Sequence, residues 1–430
     1  MGAFIRYVSL NVAGMVGLSC YILVDTLFVS LAVGSTGLAA LNLSITVYSV
    51  IAGAGLLCGV GGATDFSLRR ARGEENPTSF TQALCCAAAL SAAFTLTGLF
   101  LSAPLSRLLG AQGATFPLTY DYVRTLLLFS PAFLLNATLQ AFVRNDGAPR
   151  LAMFSMLLSS FSNIALDYVF MFPLGMGMFG AALATGLAAL MSAALLCSYV
   201  LSRRCSLRPV RCGLHGLWRL LSYGVSSMIG ELASAVSLFT FNLLLLSIGG
   251  YLYVAAYGVV ANTALVATSI FTGVGQGIQP LVSHACGSGQ QQEMRRLLRA
   301  TLLCAGCLAA VLFAAVFVFA QPIAAAFDHE NIAQLRALAV SGLRLYFCGY
   351  FFAGVNIAAA AFLSAVGRPG RALLISLLRS CVLLVPAAIL LGTLFGADGV
   401  FLSFAAAELA VFLISAASLL RLGRGRTPSP

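Results

Sequence analysis

Ser162-Asn163-Ile164-Ala165-Leu166-Asp167-Tyr168 sets an amide and a carboxylate four residues apart inside a stretch that otherwise reads as lipid-soluble. At that spacing the two side chains share one face of a helix. The apolar run around them extends from Pro149 to Pro173 and is long enough to cross the roughly 30 Å of hydrocarbon in a bilayer. A carboxylate there costs about 2.5–3.5 kcal/mol on insertion scales, so it must face protein or a water-filled cavity.

The rest of the chain has the same character: 60% of its 430 residues are hydrophobic and only 9% are charged, against about 25% charged in soluble domains. Apolar runs bounded by Arg, Pro or Gly give about twelve candidate spans, centred near residues 18, 54, 91, 131, 162, 189, 235, 264, 309, 350, 384 and 409. No stretch is left for a soluble domain, and residues 1–31 lack the short apolar core and small-residue site of a cleavable signal. The expected fold is an all-α polytopic membrane protein. The basic residues, all arginines, give a net charge of +11, which could be taken for a nucleic-acid footprint. They fall instead in alternate loops: Arg69, Arg70 and Arg72, then Arg144 and Arg150, Arg203 to Arg219, Arg295 to Arg299, Arg368 and Arg371, and Arg421 to Arg426. The intervening loops and helix ends hold only Arg107, Arg124, Arg336 and Arg344. By the positive-inside rule both termini are cytoplasmic, and no nucleic-acid partner is implied.

The sequence also repeats. An offset of 216 carries Gly34 onto Gly250, Gly59 onto Gly275, Gly61 onto Gly277 and Gly73 onto Gly289; an offset of 220 carries Phe142, Gly147 and Pro149 onto Phe362, Gly367 and Pro369. Two six-helix lobes follow, residues 1–205 and 220–430, joined by an Arg-rich cytoplasmic linker over 206–219. With an even number of helices in each, the lobes are parallel repeats about an axis along the membrane normal.

Ionisable groups within spans are few: Asp25, Asp167, Glu231, Arg379 and Glu408, with Asp65 and Arg344 nearer helix ends. Counting at 1.5 Å per residue puts Asp25 and Asp167 about 9 Å, and Thr185 about 12 Å, below one membrane surface, with Asn163 a turn deeper. Asn163 or Thr185 alone is as well explained by an interhelical hydrogen bond. Two carboxylates, an amide and a hydroxyl at one depth suit a small cation or a shared proton. Glu231, about 25 Å from the same surface, is expected to line a cavity with Asn242, Gln276 and Gln279. Arg379 and Glu408, at about 22 and 15 Å on adjacent antiparallel helices, are expected to form a structural ion pair.

Other patterns carry less. Gly175-Met176-Gly177-Met178-Phe179-Gly180 spells a dinucleotide fingerprint, but no strand precedes it. His215, His284 and His329 lack metal-ligand spacing, and Cys304 and Cys307 lie mid-span, away from the strand-helix context of a redox motif. Without a histidine or a paired nucleophile in the spans, an intramembrane enzyme is not expected. The glycines of the second span (Gly53, Gly55, Gly59, Gly61, Gly62) read as helix-packing residues.

Over essentially its whole length the chain resembles the multidrug and toxic compound extrusion (MATE) transporters, most nearly the MepA-like bacterial branch. The likeness is carried by Tyr21 to Phe28, Arg144-Asn145-Asp146-Gly147-Ala148-Pro149, Asn163 to Phe172, Gly180 to Thr185, Gln276 to Pro280 and Gly399 to Glu408, in that order. It implies a secondary antiporter of a bacterial plasma membrane that exports amphipathic, cationic compounds in exchange for H⁺ or Na⁺. It also implies a coupling site at Asp25, Asn163, Asp167 and Thr185, no cofactor, and a monomer. Two departures stand out. The span centred near residue 350 has no acid to pair with Glu231, and Leu10-Asn11 stands where the family commonly has a proline. A flippase for lipid-linked precursors shares the two-lobe plan, but its cavity would need a cationic cluster where this chain has acids.

Overall fold

The protein is described by a computed structural model over residues 2–74, 78–202, 207, 210, 213, 216–327 and 332–424. His215, His329 and linker arginines Arg203, Arg204, Arg208 and Arg211 lie outside the described residues, as does Arg426.

All described regular structure is helical. The first half runs α1 (Gly2–Val33), α2 (Ser35–Ala71), α3 (Ser79–Phe100), the short α4 (Ser102–Leu108), α5 (Thr115–Leu128), α6 (Ser130–Asn145), α7 (Pro149–Met171) and α8 (Gly177–Val200). The second half runs α9 (Leu217–Gly249), α10 (Tyr251–Gly287), α11 (Gln291–Phe327), α12 (Ala333–Phe347), α13 (Tyr350–Ala365), α14 (Pro369–Leu377), a π-helical turn (Leu378–Val382) and α15 (Leu384–Arg424).

Among the described residues nine helical stretches are long and apolar enough to span a bilayer, and two bent pairs, α5 with α6 (50°) and α12 with α13 (47°), raise the number to eleven. The sequence reads each bent pair as one unbroken span. Pro131, near the start of α6, has no N–H to give the preceding turn, which breaks the first. At the second, Gly349 leaves room for Phe404, whose ring would stand 2.5 Å from a Cβ there.

The stretch 369–419 is one chain of helix but two crossings. Gly396 has φ 63° and ψ −141°, and a Cβ on Gly399 would meet the Leu391 carbonyl at 1.9 Å, so the chain folds back on itself there. Arg379 Nη2 donates to Glu408 Oε1 at 2.6 Å, whereas the same residues in a straight helix would be about 43 Å apart. With that turn the spans number twelve.

The repeat is visible in the backbone. Gly34, between α1 and α2, has φ 80° and ψ −163°, and Gly250, between α9 and α10, has φ 73° and ψ −160°. Gly73 and Gly289, and Gly147 and Gly367, are likewise paired at positive φ, where a side chain is strained. The glycine matches are therefore shared turn geometry.

Two hydrophobic clusters fill the first half, one around Leu126, Leu127, Leu134 and Ile51, the other around Phe80 and Phe142. Two more fill the second, around Phe271, Phe347, Tyr350 and Phe401 and around Ile278, Val282, Phe362 and Leu363. The halves meet along two seams. At one, a Cβ on Gly273 or Gly277 of α10 would lie 2.7 Å from Val12 Cα or 2.8 Å from Val8 Cα of α1. At the other, a Cβ on Gly224 of α9 would lie 2.1 Å from the Leu57 carbonyl of α2, and one on Gly61 2.4 Å from the Leu220 carbonyl. Both seams lie in the half of the molecule that carries the N-terminus, and backbone packs on backbone there because no side chain intervenes.

Gly224→Ala is expected to lower the melting temperature in detergent by several degrees, since the neighbouring atom is backbone. Gly230→Ala on the same helix, with nothing within 4 Å, should leave it unchanged or raised. For the buried pair, Glu408→Ala should destabilise by about 3–5 kcal/mol and Arg379→Met with Glu408→Leu by much less, because only the single variant strands a charge. Thermal denaturation of the three proteins decides this.

Candidate functional site

Asp25, Asn163, Asp167 and Thr185 come together from α1, α7 and α8. Small residues make this possible: a Cβ on Gly14 or Gly17 of α1 would meet Met156 Sδ at 2.9 Å or Leu157 Cδ2 at 2.6 Å of α7. One turn beyond Asp25, Phe28 packs edge-on to Phe172 (5.6 Å between ring centres) and tilted against Tyr168 (6.3 Å), which fixes α1 against the end of α7. A tight turn with Gly175 and Gly177 at positive φ brings α8 back beside α7. The fingerprint-like glycines therefore make a turn.

The carboxyl groups of Asp25 and Asp167 lie close enough for each to act on the other. All four side chains are buried, Asp167 completely. Oδ1 of each carboxylate has no partner among the described residues. With its amide turned so that Nδ2 donates to Asp167 Oδ2 at 3.0 Å, Asn163 presents Oδ1 to the Thr185 hydroxyl at 3.2 Å. The amide thus links the Asp167 carboxylate to Thr185. Two carboxyl groups this close need a proton or a cation between them, and four oxygen-bearing side chains are a suitable shell for either.

Tyrosines wall the site. Tyr122 of α5 lies beside Asp25, Asp167 and Thr185, and the hydroxyls of Tyr21 and Tyr48 are 3.4 Å apart. Tyr21 is legible in hindsight, since it stands four residues before Asp25 on the same face of α1. Tyr48 and Tyr122 carry no such spacing.

The four residues expected to line a cavity divide. Glu231 and Asn242 are half-buried and stand eleven residues, about three turns, apart on one face of α9. Tyr48 is near enough to feel the charge of Glu231, so Glu231 faces the space between the halves. Gln276 and Gln279 are instead engaged in a seam. Gln276 accepts from Arg144 at 2.8 Å, and Gln279 donates to Thr64 Oγ1 at 2.7 Å and to the Val60 carbonyl at 3.1 Å. Their amides are committed to helix contacts in this structure.

Glu408 is 1% exposed and accepts from Asn356 at 2.7 Å as well as from Arg379. Asp65 accepts from Ser79 at 2.5 Å and lies 3.3 Å from Arg219. The Arg344 guanidinium stacks 4.8 Å over Phe317. Arg144, read from sequence as a loop residue, is only 2% exposed at the end of α6.

The protein is similar to the multidrug export protein MepA of Staphylococcus saprophyticus, 24% identical over 394 residues that cover 90% of this chain and 86% of the relative. MepA of Staphylococcus aureus strain MRSA252 matches to the same extent. Among solved structures, the outward-facing conformation of a multidrug resistance MATE family transporter of the MOP superfamily superimposes with a TM-score of 0.92 at 22% identity, over 98% of this chain and 96% of that one. The MATE multidrug transporter DinF-BH in complex with R6G superimposes at 0.89 with 25% identity, over 98% and 95%. The profile of the MatE family matches twice, at residues 12–169 and 227–390, once in each half of the repeat, and the chain therefore belongs to the MatE family of multidrug and toxic compound extrusion transporters.

Proposed function

We propose that the protein is a cation-coupled exporter of amphipathic, cationic compounds, working by alternating access between lobes 1–205 and 220–430 about the linker 206–219. The observation that carries this reading is the pairing of Asp25 with Asp167, buried in one lobe only and completed by Asn163 and Thr185. H⁺ or Na⁺ entering from outside occupies that site and neutralises the pair. With the pair neutralised, α1, which carries Asp25, shifts relative to α7. Glu231 and Asn242 face the space between the lobes and supply charge and hydrogen-bond acceptors for a cationic cargo. Each inward charge gains about 2.3 kcal/mol per 100 mV of membrane potential, enough for a modest gradient of drug.

Several observations support this reading. The MepA relatives are multidrug export proteins by name, and DinF-BH has been solved with R6G. The seam contacts lie at the end that carries the N-terminus, which the arginine distribution makes cytoplasmic. That is the closure expected of an outward-facing state.

In proteoliposomes with Na⁺ and pH gradients imposed independently, export of a cationic dye should follow one of the two. Asp25→Asn and Asp167→Asn should each lower the gradient-driven rate by at least tenfold while leaving Glu231-dependent dye binding in place. Wild-type rates in both variants, or transport indifferent to both gradients, would remove the coupling assignment. Glu231→Gln should weaken cationic dye binding several-fold and leave that of a neutral analogue unchanged, measured by fluorescence titration.

A further inference from the structure

Arg144 is a guanidinium taken almost wholly out of water with no carboxylate beside it. Its Nη1 donates to Asn11 Oδ1 at 2.9 Å and to Gln276 Oε1 at 2.8 Å. Its Nε has no partner, and no acid pairs with it among the described residues. Arg379, by contrast, is drawn into the other lobe against a carboxylate, that of Glu408.

The two acceptors belong to different lobes. Asn11 is on α1 of the arginine's own lobe, held in place by its Nδ2 donating to the Tyr7 carbonyl at 2.8 Å. Gln276 is on α10 of the other lobe, one turn from Gln279, which makes its own bonds across to α2. The same stretch of α10 carries Gly273 and Gly277, the residues that bring α1 and α10 into backbone contact. Next to this point a crevice of about 350 Å³ opens along the seam, lined by Tyr7, Asn145, Pro280, His284, Glu293 and Arg296.

We propose that Arg144 is the latch of the seam between α1 and α10, and that its acceptors are neutral so that the seam can open again. Hydrogen bonds from a guanidinium are strong enough to hold two lobes together. The unpaired charge also makes closure expensive, because water is removed from it without a counterion. Opening toward the crevice returns that water. The two effects oppose each other, and the closed seam is left breakable. A carboxylate in place of Gln276 would form an ion pair only when the seam is shut, and so would lock it. The latch also touches the helix that holds the coupling site: Asn11 and Asp25 are fourteen residues, about 21 Å, apart on the unbroken α1, so a shift of α1 at Asp25 is felt at Asn11. This inference rests on the two-state reading of the lobes and not on which ion the first lobe holds.

The test places the same negative charge on either side of one nitrogen. In full-length protein in lipid nanodiscs, with accessible native cysteines replaced, spin labels at Arg150 and Gln292 report the seam and labels at Leu174 and Ser247 report the opposite end. Distance distributions are recorded at an ion concentration that populates both states in the wild type. Gln276→Glu should shift the populations at least tenfold toward the closed seam. Asn11→Asp should shift them much less, because its pair with Arg144 lies within one lobe and forms in both states, so that it lowers the cost of burying the charge without tying the lobes together. Adding Arg144→Gln to Gln276→Glu should abolish the shift. An unmoved Gln276→Glu, an equal shift in Asn11→Asp, or a shift that survives the loss of Arg144 each overturns the latch. Failure of the coupling assignment, read from transport by Asp25→Asn, leaves these distances unaffected.

Discussion

Hydrocarbon offers no partner to a polar group, and nearly everything particular about this protein follows from where its few charges find one instead. Asp25 and Asp167 meet each other, with an amide and a hydroxyl completing the set. Glu408 takes Arg379 and Asn356. Arg144 takes two neutral oxygens, one from each lobe. These are three solutions to one problem with different consequences: a site that needs a proton or a cation, a pair that holds two antiparallel helices together, and a contact that can be broken.

The two halves share a backbone but not a chemistry. Matching positive-φ glycines place the same turns in both, and each half packs around its own apolar clusters. The offset that carries Gly34 onto Gly250 carries Asp25 onto Phe241, which stacks on Tyr257 in the core of the second lobe with ring centres 5.2 Å apart. Where one lobe exposes a carboxyl to its partner, the other fills the space with an aromatic ring. Duplication gives two lobes one backbone plan, and the loss of symmetry at this position confines the paired carboxyl groups to one of them.

Much of the fold was legible because a bilayer imposes length and polarity on each crossing, and both are properties of a segment taken alone. Asn163 and Asp167 were legible for a similar reason, since their spacing fixes a common face. The bends at Phe129 and at Cys348 to Gly349 were not: an apolar run of the right length reads the same whether straight or broken. Tyr48 and Tyr122 reach the site by the packing of α2 and α5, which no local pattern encodes. Gln276 and Gln279 look like cavity residues because they are polar within a span, yet the approach of α1 and α2 consumes their hydrogen bonds.

The sequence by itself therefore determined the number and polarity of the crossings, the repeat, and which residues are too costly to leave in lipid without a purpose. Those follow from transfer energies and helix periodicity, which act residue by residue. The tertiary structure alone decided which of those residues face one another. A hydrogen bond or an ion pair is settled over a few ångströms between helices far apart in the chain, and so Arg144 passed from a loop cation in the sequence to a buried contact between lobes in the fold.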